Sequence, residues 1–274
     1  MQALQRLDRR WLYAALILVI LFPLVRPLGI PLKPRSWTVQ AFQAIEVAGS
    51  GDPVLLSLDY QVSGAPDIHP QTEAIMKRLM DKGCRVILVA FVDQGAQFAI
   101  DLARKWEGRG KTYGTDIVVL GFAPGVEAAI SAFARDVAAV FPKDVRGNAI
   151  SDLPVMKGIK TARDFTVIVD LATGIPGPAE WIRQVKTAFP DVPLVGNVVT
   201  VMGPQTLPYV QSGQLAGCMI GLRGAAEYEV LAKQAGQAVA AMDAQSMGHL
   251  MIILYVILGN VAFLATRRRR GSGV

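Results

Sequence analysis

Two apolar runs carry an aspartate at their carboxyl ends: PVLLSLD at 53–59 with Asp59, and FTVIVDL at 165–171 with Asp170. Runs of this length without a polar alternation read as parallel strands buried on both faces. If the two strands are neighbours, the carboxylates sit side by side where ligands bind in open α/β sheets, outside the carboxyl ends of the strands. Such a pair can hold a divalent cation or share one proton, because adjacent like charges resist joint ionisation. The same aspartates can instead cap neighbouring loops through backbone N–H groups, a structural duty only.

The other chemistry-bearing side chains fall in segments that follow strands. Ser63, Asp67 and His69 follow the first run, Asp93 follows RVILVAF at 85–91, and Thr173, Gly174 and Gly177 follow the run that holds Asp170. Asn197 and Thr200 come with PLVGNVV at 193–199, and Arg223 follows AGCMIGL at 216–222. The candidate ligand crevice is therefore Asp59, His69, Asp93, Asp170, Thr173, Gly174, Asn197 and Arg223, with Asp59 and Asp170 as its metal candidates and a divalent cation as its possible cofactor. Glycine-rich strand-to-helix turns present N–H groups to anions. No GxGxxG follows the first strand, however; GSG at 49–51 precedes it, and neither GxxxxGK[ST] nor GxSxG occurs. Dinucleotide, P-loop and nucleophile-elbow readings therefore lose their motif. His69, inside PDIHPQ, is expected in a proline-bounded loop, bonded to backbone and without a nucleophile to activate. Glu180 and Trp181 open a helix, where the acid suits the dipole without any catalytic duty. With two histidines and no CxxC, zinc has no ligand set; Cys84 and Cys218, in or beside strands, read as buried thiols, with a disulfide the alternative.

The elements that must position these residues alternate strand with helix from Asp52 onward. Strands at 53–59, 85–91 and 116–120 are separated by helices ending at Lys82 and spanning 96–106, and a helix at 125–141 follows. After the segment 142–164 the pattern repeats, with strands at 165–171, 193–199 and 216–222 and helices at 178–189 and 205–213. VLGFAPGVEAAI at 119–130 and MIGLRGAAEYEV at 219–230 end the two halves alike. The expected fold is α/β: a Rossmann-like, doubly wound, mostly parallel six-stranded sheet ordered 3-2-1-4-5-6 and flanked by N- and C-terminal transmembrane helices. The linker 142–164 is long for a compact domain; a crossover between the halves takes some of it, and the remainder, with Lys143, Lys157 and Lys160, serves either as a flap over the sheet edge or as a contact surface. A helix from Gly224 is expected to run nearly unbroken toward the C-terminal apolar segment.

That segment is uncharged from His249 to Thr266 and is followed by Arg267, Arg268, Arg269 and Arg270. At roughly 1.5 Å of rise per residue it matches a bilayer's hydrocarbon core, and the arginines mark its cytoplasmic end. WLYAALILVILFPLV at 11–25 reads as a retained anchor rather than a cleaved signal, since no A-x-A site follows it. The domains then run 1–35 (cytoplasmic stub, span and proline-rich exit), 36–51 (juxtamembrane helix and hinge, on the membrane or packed on the domain), 52–247 (extracytoplasmic α/β domain), 248–266 (span) and 267–274 (basic tail). Both termini are placed in the cytoplasm, in a plasma or inner membrane. Gly248, Gly259 and Asn260 suit a helix–helix assembly surface in lipid.

Of the 28 Lys and Arg, ten lie in 1–35 and 266–274, and of the 22 acids only Asp8 does, which leaves 18 bases against 21 acids between them. The basic balance thus belongs to the membrane flanks, and a nucleic-acid role lacks its basic face. No family motif accompanies these residues, and architecture alone does not fix function. The sequence favours a non-enzymatic, membrane-anchored binding or scaffolding subunit, with the lipid bilayer and itself or other membrane proteins as partners. The alternative is an envelope-facing metal-assisted hydrolase using Asp59 and Asp170.

Overall fold

The computed structural model describes residues 8–234 and 236–271, the last seven by backbone alone. Six strands, β1 (Pro53–Asp59), β2 (Arg85–Ala90), β3 (Ile117–Phe122), β4 (Val167–Ala172), β5 (Leu194–Val198) and β6 (Gly217–Ile220), form one sheet. Every neighbouring pair is parallel and the order is β3-β2-β1-β4-β5-β6. The chain reverses its direction of growth between β1 and β4, the place where a crevice opens in such sheets.

The helices are α1 (Arg9–Val25), α2 (Ser36–Glu46), α3 (Ala65–Lys82), α4 (Asp93–Glu107), α5 (Glu127–Arg135), α6 (Val137–Val140), α7 (Pro178–Trp181), α8 (Gly203–Gln211), α9 (Gly221–Leu231) and α10 (Gln237–Gly271). Alternation along each strand divides the core. Leu56, Leu58, Val169 and Leu171 point to the layer containing Ile45 of α2, Leu79 of α3, Trp106 of α4 and Tyr228 of α9. Leu55, Ile87, Val118 and Ile168 point to the opposite layer, which holds Phe133 of α5 and Trp181 of α7. Each such aliphatic side chain, once fully buried, contributes about 1.5–3 kcal/mol. The linker after α6 folds into short 3₁₀ turns whose Ile150, Val155 and Met156 close this second layer, so it serves as a cover over the sheet face. Helix α2 packs on β6: an ideal Cβ on Gly217 would stand 2.1 Å from the amide nitrogen of Ala41.

Several boundaries differ from those the sequence suggests. Helix α3 starts at Ala65, ahead of Pro70, so Asp67 and His69 are helical rather than in a loop. Pro66 occupies the first turn, where no N–H bond is needed, and Pro70 forfeits a single bond, less than burial of Ile68, Ile75 and Leu79 returns. The 125–141 helix is two helices, because Asp136 is extended and its carboxylate caps α6 at the Ala139 amide (3.1 Å). No continuous helix leads from α9 into the C-terminal segment. Lys233 adopts φ +53°, the Lys233 amide donates to Val230 O (3.1 Å) and the Gln234 amide to Glu229 O (3.0 Å), a closed helix terminus.

The described chain divides into two compact bodies, residues 32–234 and residues 8–31 with 236–271. In the second body α1 runs antiparallel to α10: Tyr255 Oη donates to Leu12 O (2.7 Å), and Leu28, Gly29 and Ile30 donate their amides to the Asp243 carboxylate (2.8, 2.9 and 3.2 Å). Among the described residues one helical stretch, Gln237–Leu264, is long and apolar enough to cross a membrane, not two. Helix α1 has 17 residues, about 25 Å at the α-helical rise and short of a full hydrocarbon core. The side chains of Arg267–Arg270 lie outside the described residues.

Candidate functional site

The β1–β4 register aligns Ser57 with Asp170 and Asp59 with Ala172. By the period of two, Ser57, Asp59 and Asp170 share the face that also carries Leu55 and Ile168. The two aspartates are thus brought together, but inside the sheet layer: Asp59 is 1% exposed and Asp170 fully buried. Asp59 is well satisfied. Its Oδ2 accepts from Ser57 Oγ (2.6 Å) and Trp181 Nε1 (3.2 Å), and its Oδ1 from the Phe91 amide (2.7 Å). It therefore ties β1 to the end of β2 and to α7. Asp170 receives no donor at either oxygen; its polar neighbour is the Asp59 carboxyl, with which a proton can be shared.

Burial pushes the Asp59 carboxyl up to about 6, against the three donors that favour its charge. Burial, then the neighbouring Asp59 and then Glu180 push Asp170 well above the ordinary carboxyl range. Such a pair holds a proton in the interior. For a cation it offers two carboxylates where Mg²⁺ or Ca²⁺ takes six or more oxygens, and no group of three or more His, Cys, Asp or Glu suited to a metal occurs among the described residues.

The remaining candidates scatter along the carboxyl edge, each engaged locally. His69 Nδ1 lies 3.0 Å from Tyr60 Oη and its Nε2 3.5 Å from Glu73. Asp93 begins α4 and accepts from the Gln94 amide (2.7 Å). Asn197 Oδ1 accepts from the Met219 amide (2.9 Å), fastening β5 to β6, and Arg223 Nε donates to Glu227 (2.8 Å). Asp67 accepts from the amides of Thr200 (2.7 Å) and Leu222 (3.0 Å), which pins the loop after β5 to the start of α9. Cys84 and Cys218 are free and buried.

Open space lies one strand beyond the aspartates. A cavity of about 280 Å³ sits between the Thr173–Gly177 loop, α7 and α8, lined among others by Thr173, Gly174, Met202, Gln205 and Tyr209. Neither Asp59 nor Asp170 lines it. The loops Gln61–Gly64, Thr173–Gly177 and Thr200–Gly203 carry no formal charge. Each exposes one aliphatic tip: Val62 by 65%, Ile175 by 76% and Val201 by 85%. The first two loops are joined where the Gln61 amide donates to Thr173 Oγ1 (3.1 Å).

Comparison with known proteins gives no match to a family model, to a curated protein or to a solved structure. The carboxyl edge and the apolar helices therefore carry the functional reading by themselves. Sequence reasoning finds Thr173 and Gly174 but misses Gln205 and Tyr209, which only the docking of α8 brings beside them. Ser57 was within reach, two residues before Asp59 on the same strand face; Trp181 was not, since its reach to Asp59 depends on how α7 packs.

Proposed function

We propose that this chain is a membrane-anchored binding or scaffolding subunit that displays its α/β domain outside the cytoplasm. The observation that carries this is the exposure of α10: from Leu250 to Leu264 its aliphatic side chains face outward, and almost none of the stretch is buried. Water does not tolerate an apolar surface of that extent on one helix, whereas lipid does. Helix α1 supports a two-span arrangement, since Ile17, Leu18, Leu21 and Phe22 are exposed beside it. Two antiparallel spans leave both termini on one side, and Arg267–Arg270 assign that side to the cytoplasm. A binding role is favoured over a catalytic one because the acids and the histidine of the carboxyl edge are buried or bonded, while its exposed tips are aliphatic. The metal-assisted hydrolase loses ground for the same reason: Asp59 and Asp170 lie within the sheet layer, away from the cavity.

Labelling of intact cells with a membrane-impermeant thiol reagent tests the arrangement. Gly108→Cys is suitable because Gly108 is exposed with ordinary backbone angles, whereas Gly110 has φ +87° and would strain a cysteine. The native thiols give little background, Cys84 being 1% exposed and Cys218 fully buried. Labelling at position 108 before lysis is expected; labelling only after lysis overturns the orientation.

A further inference from the structure

We infer that the cavity behind the Thr173–Gly177 loop binds a small uncharged molecule built on one planar ring with an amide-type hydrogen-bonding edge. This deepens the binding role proposed above and rests on it. At about 280 Å³ the cavity lies at the small end of ligand sites, room for a single substituted ring. Ile175, Pro178, Ala179 and Met202 supply apolar wall. No lysine or arginine lines it, so an anion finds no counter-charge. A cation fares no better, because Glu180 Oε2 already accepts from the Gly177 amide (2.9 Å) and Oε1 from Arg183 (2.6 Å). Charge therefore selects a neutral ligand.

Three lining side chains retain hydrogen-bonding capacity for recognition, among them Thr173, whose hydroxyl accepts from the Gln61 amide (3.1 Å) and keeps its own proton. The Gln205 carboxamide and the Tyr209 hydroxyl have no hydrogen-bond partner among the described residues, whereas Thr206 Oγ1 is engaged by Met202 O (3.0 Å). A carboxamide offers a donor and an acceptor in one plane, matched by a ligand edge with an acceptor beside a donor. The Tyr209 ring adds an aromatic surface, which packs on a planar ring.

The test compares four probes of similar shape on the full-length protein in detergent micelles: benzamide, benzoate, benzylammonium and toluene. Saturation-transfer NMR at about 5 mM, with micelles alone as control, suits the millimolar affinity expected of so small a ligand. Benzamide is expected to give the strongest transfer. Ala179→Leu, which fills the cavity, should lower it about fivefold, and Gln205→Leu should lower benzamide while sparing toluene. Absence of benzamide transfer, transfer unchanged by Ala179→Leu, or benzoate, benzylammonium or toluene binding as well as benzamide would each overturn the inference. If Ala179→Leu does not fold, Gln205→Leu, on an exposed residue, decides alone. The thiol labelling at position 108 does not depend on this pocket, so failure of the ligand and failure of the anchored arrangement read out separately.

Discussion

Asp170 has no hydrogen-bond donor at either carboxylate oxygen in the interior of the sheet, an environment that favours the neutral acid. Its folded pKa is raised above the ordinary value, so the folded state holds the proton more tightly than the unfolded chain does. Stability from this group is fully present below the ordinary carboxyl range and is lost as pH rises through the folded value. Asp59, raised to about 6, adds loss in the same direction between the ordinary range and that pH. Asp170→Asn keeps the shape without the charge. It should melt higher than wild type at pH 8, with the gap closing toward pH 5; every tenfold by which folding tightens the Asp170 proton corresponds to about 1.4 kcal/mol. Superimposable melting curves at both pH values would mean that the buried acid carries no such burden. Asp59→Asn should behave differently at pH 5: the amide nitrogen cannot accept, at least one of the Ser57, Phe91 and Trp181 donors is orphaned, and about 1–3 kcal/mol is lost. The pairing of these aspartates was legible from strand order, because both close apolar runs that the alternation makes neighbours. Their burial was not, since it depends on Trp181 and the covering linker, which are distant in sequence.

The elements read most clearly where composition left no alternative. Six apolar runs separated by helical segments admit few parallel arrangements, and the observed order is the one the two-half pattern predicts. Boundaries mislead where a single residue's local preference competes with packing. Pro70 looks like a helix stop but sits inside α3; Asp136 looks like a helical residue but ends one helix and caps the next. At 232–234 no glycine marks the end of α9, because Lys233 takes the left-handed conformation itself. Gly217 is a contrasting case, in which the sequence offers only a glycine inside a strand and the structure supplies its reason. An added Cβ would meet Ala41 N at 2.1 Å and Ala41 Cα at 2.5 Å, both backbone atoms that cannot move alone. Gly217→Val should therefore lower domain stability by roughly 2–4 kcal/mol, read as a drop in the urea midpoint. Ala41→Gly in the same chain should not restore it, since the obstruction is main chain. A midpoint unchanged by Gly217→Val would mean that α2 does not dock on β6.

At the scale of the whole chain, the three residues that suggested an assembly surface in lipid part company. Gly248 faces α1 within the chain: an ideal Cβ there would stand at ordinary contact distance from Ile20 Cγ1, 3.5 Å, so a methyl fits but a larger side chain meets α1. Gly259 has nothing within 4 Å of such a Cβ, and Asn260 is exposed, with Nδ2 bonded to Val256 O of its own helix (2.8 Å). Small residues let helices approach, and a side-chain amide in lipid finds an advantage in a partner across the interface. Of the three, positions 259 and 260 are therefore the ones open to another molecule. On the proposed reading of an anchored, assembling subunit, Gly259→Leu with Asn260→Leu should leave membrane insertion intact, since both changes raise hydrophobicity, while weakening the proposed association with other copies or with partner proteins. Gly248→Leu should do the reverse, opening the contact between α1 and α10 and leaving association between chains intact. Photocrosslinking with detergent sizing reports association between chains, and hydrogen exchange of the Leu28, Gly29 and Ile30 amides, held by the Asp243 carboxylate of α10, reports the contact between α1 and α10. If the 259/260 double variant assembles like wild type, α10 is an anchor and nothing more.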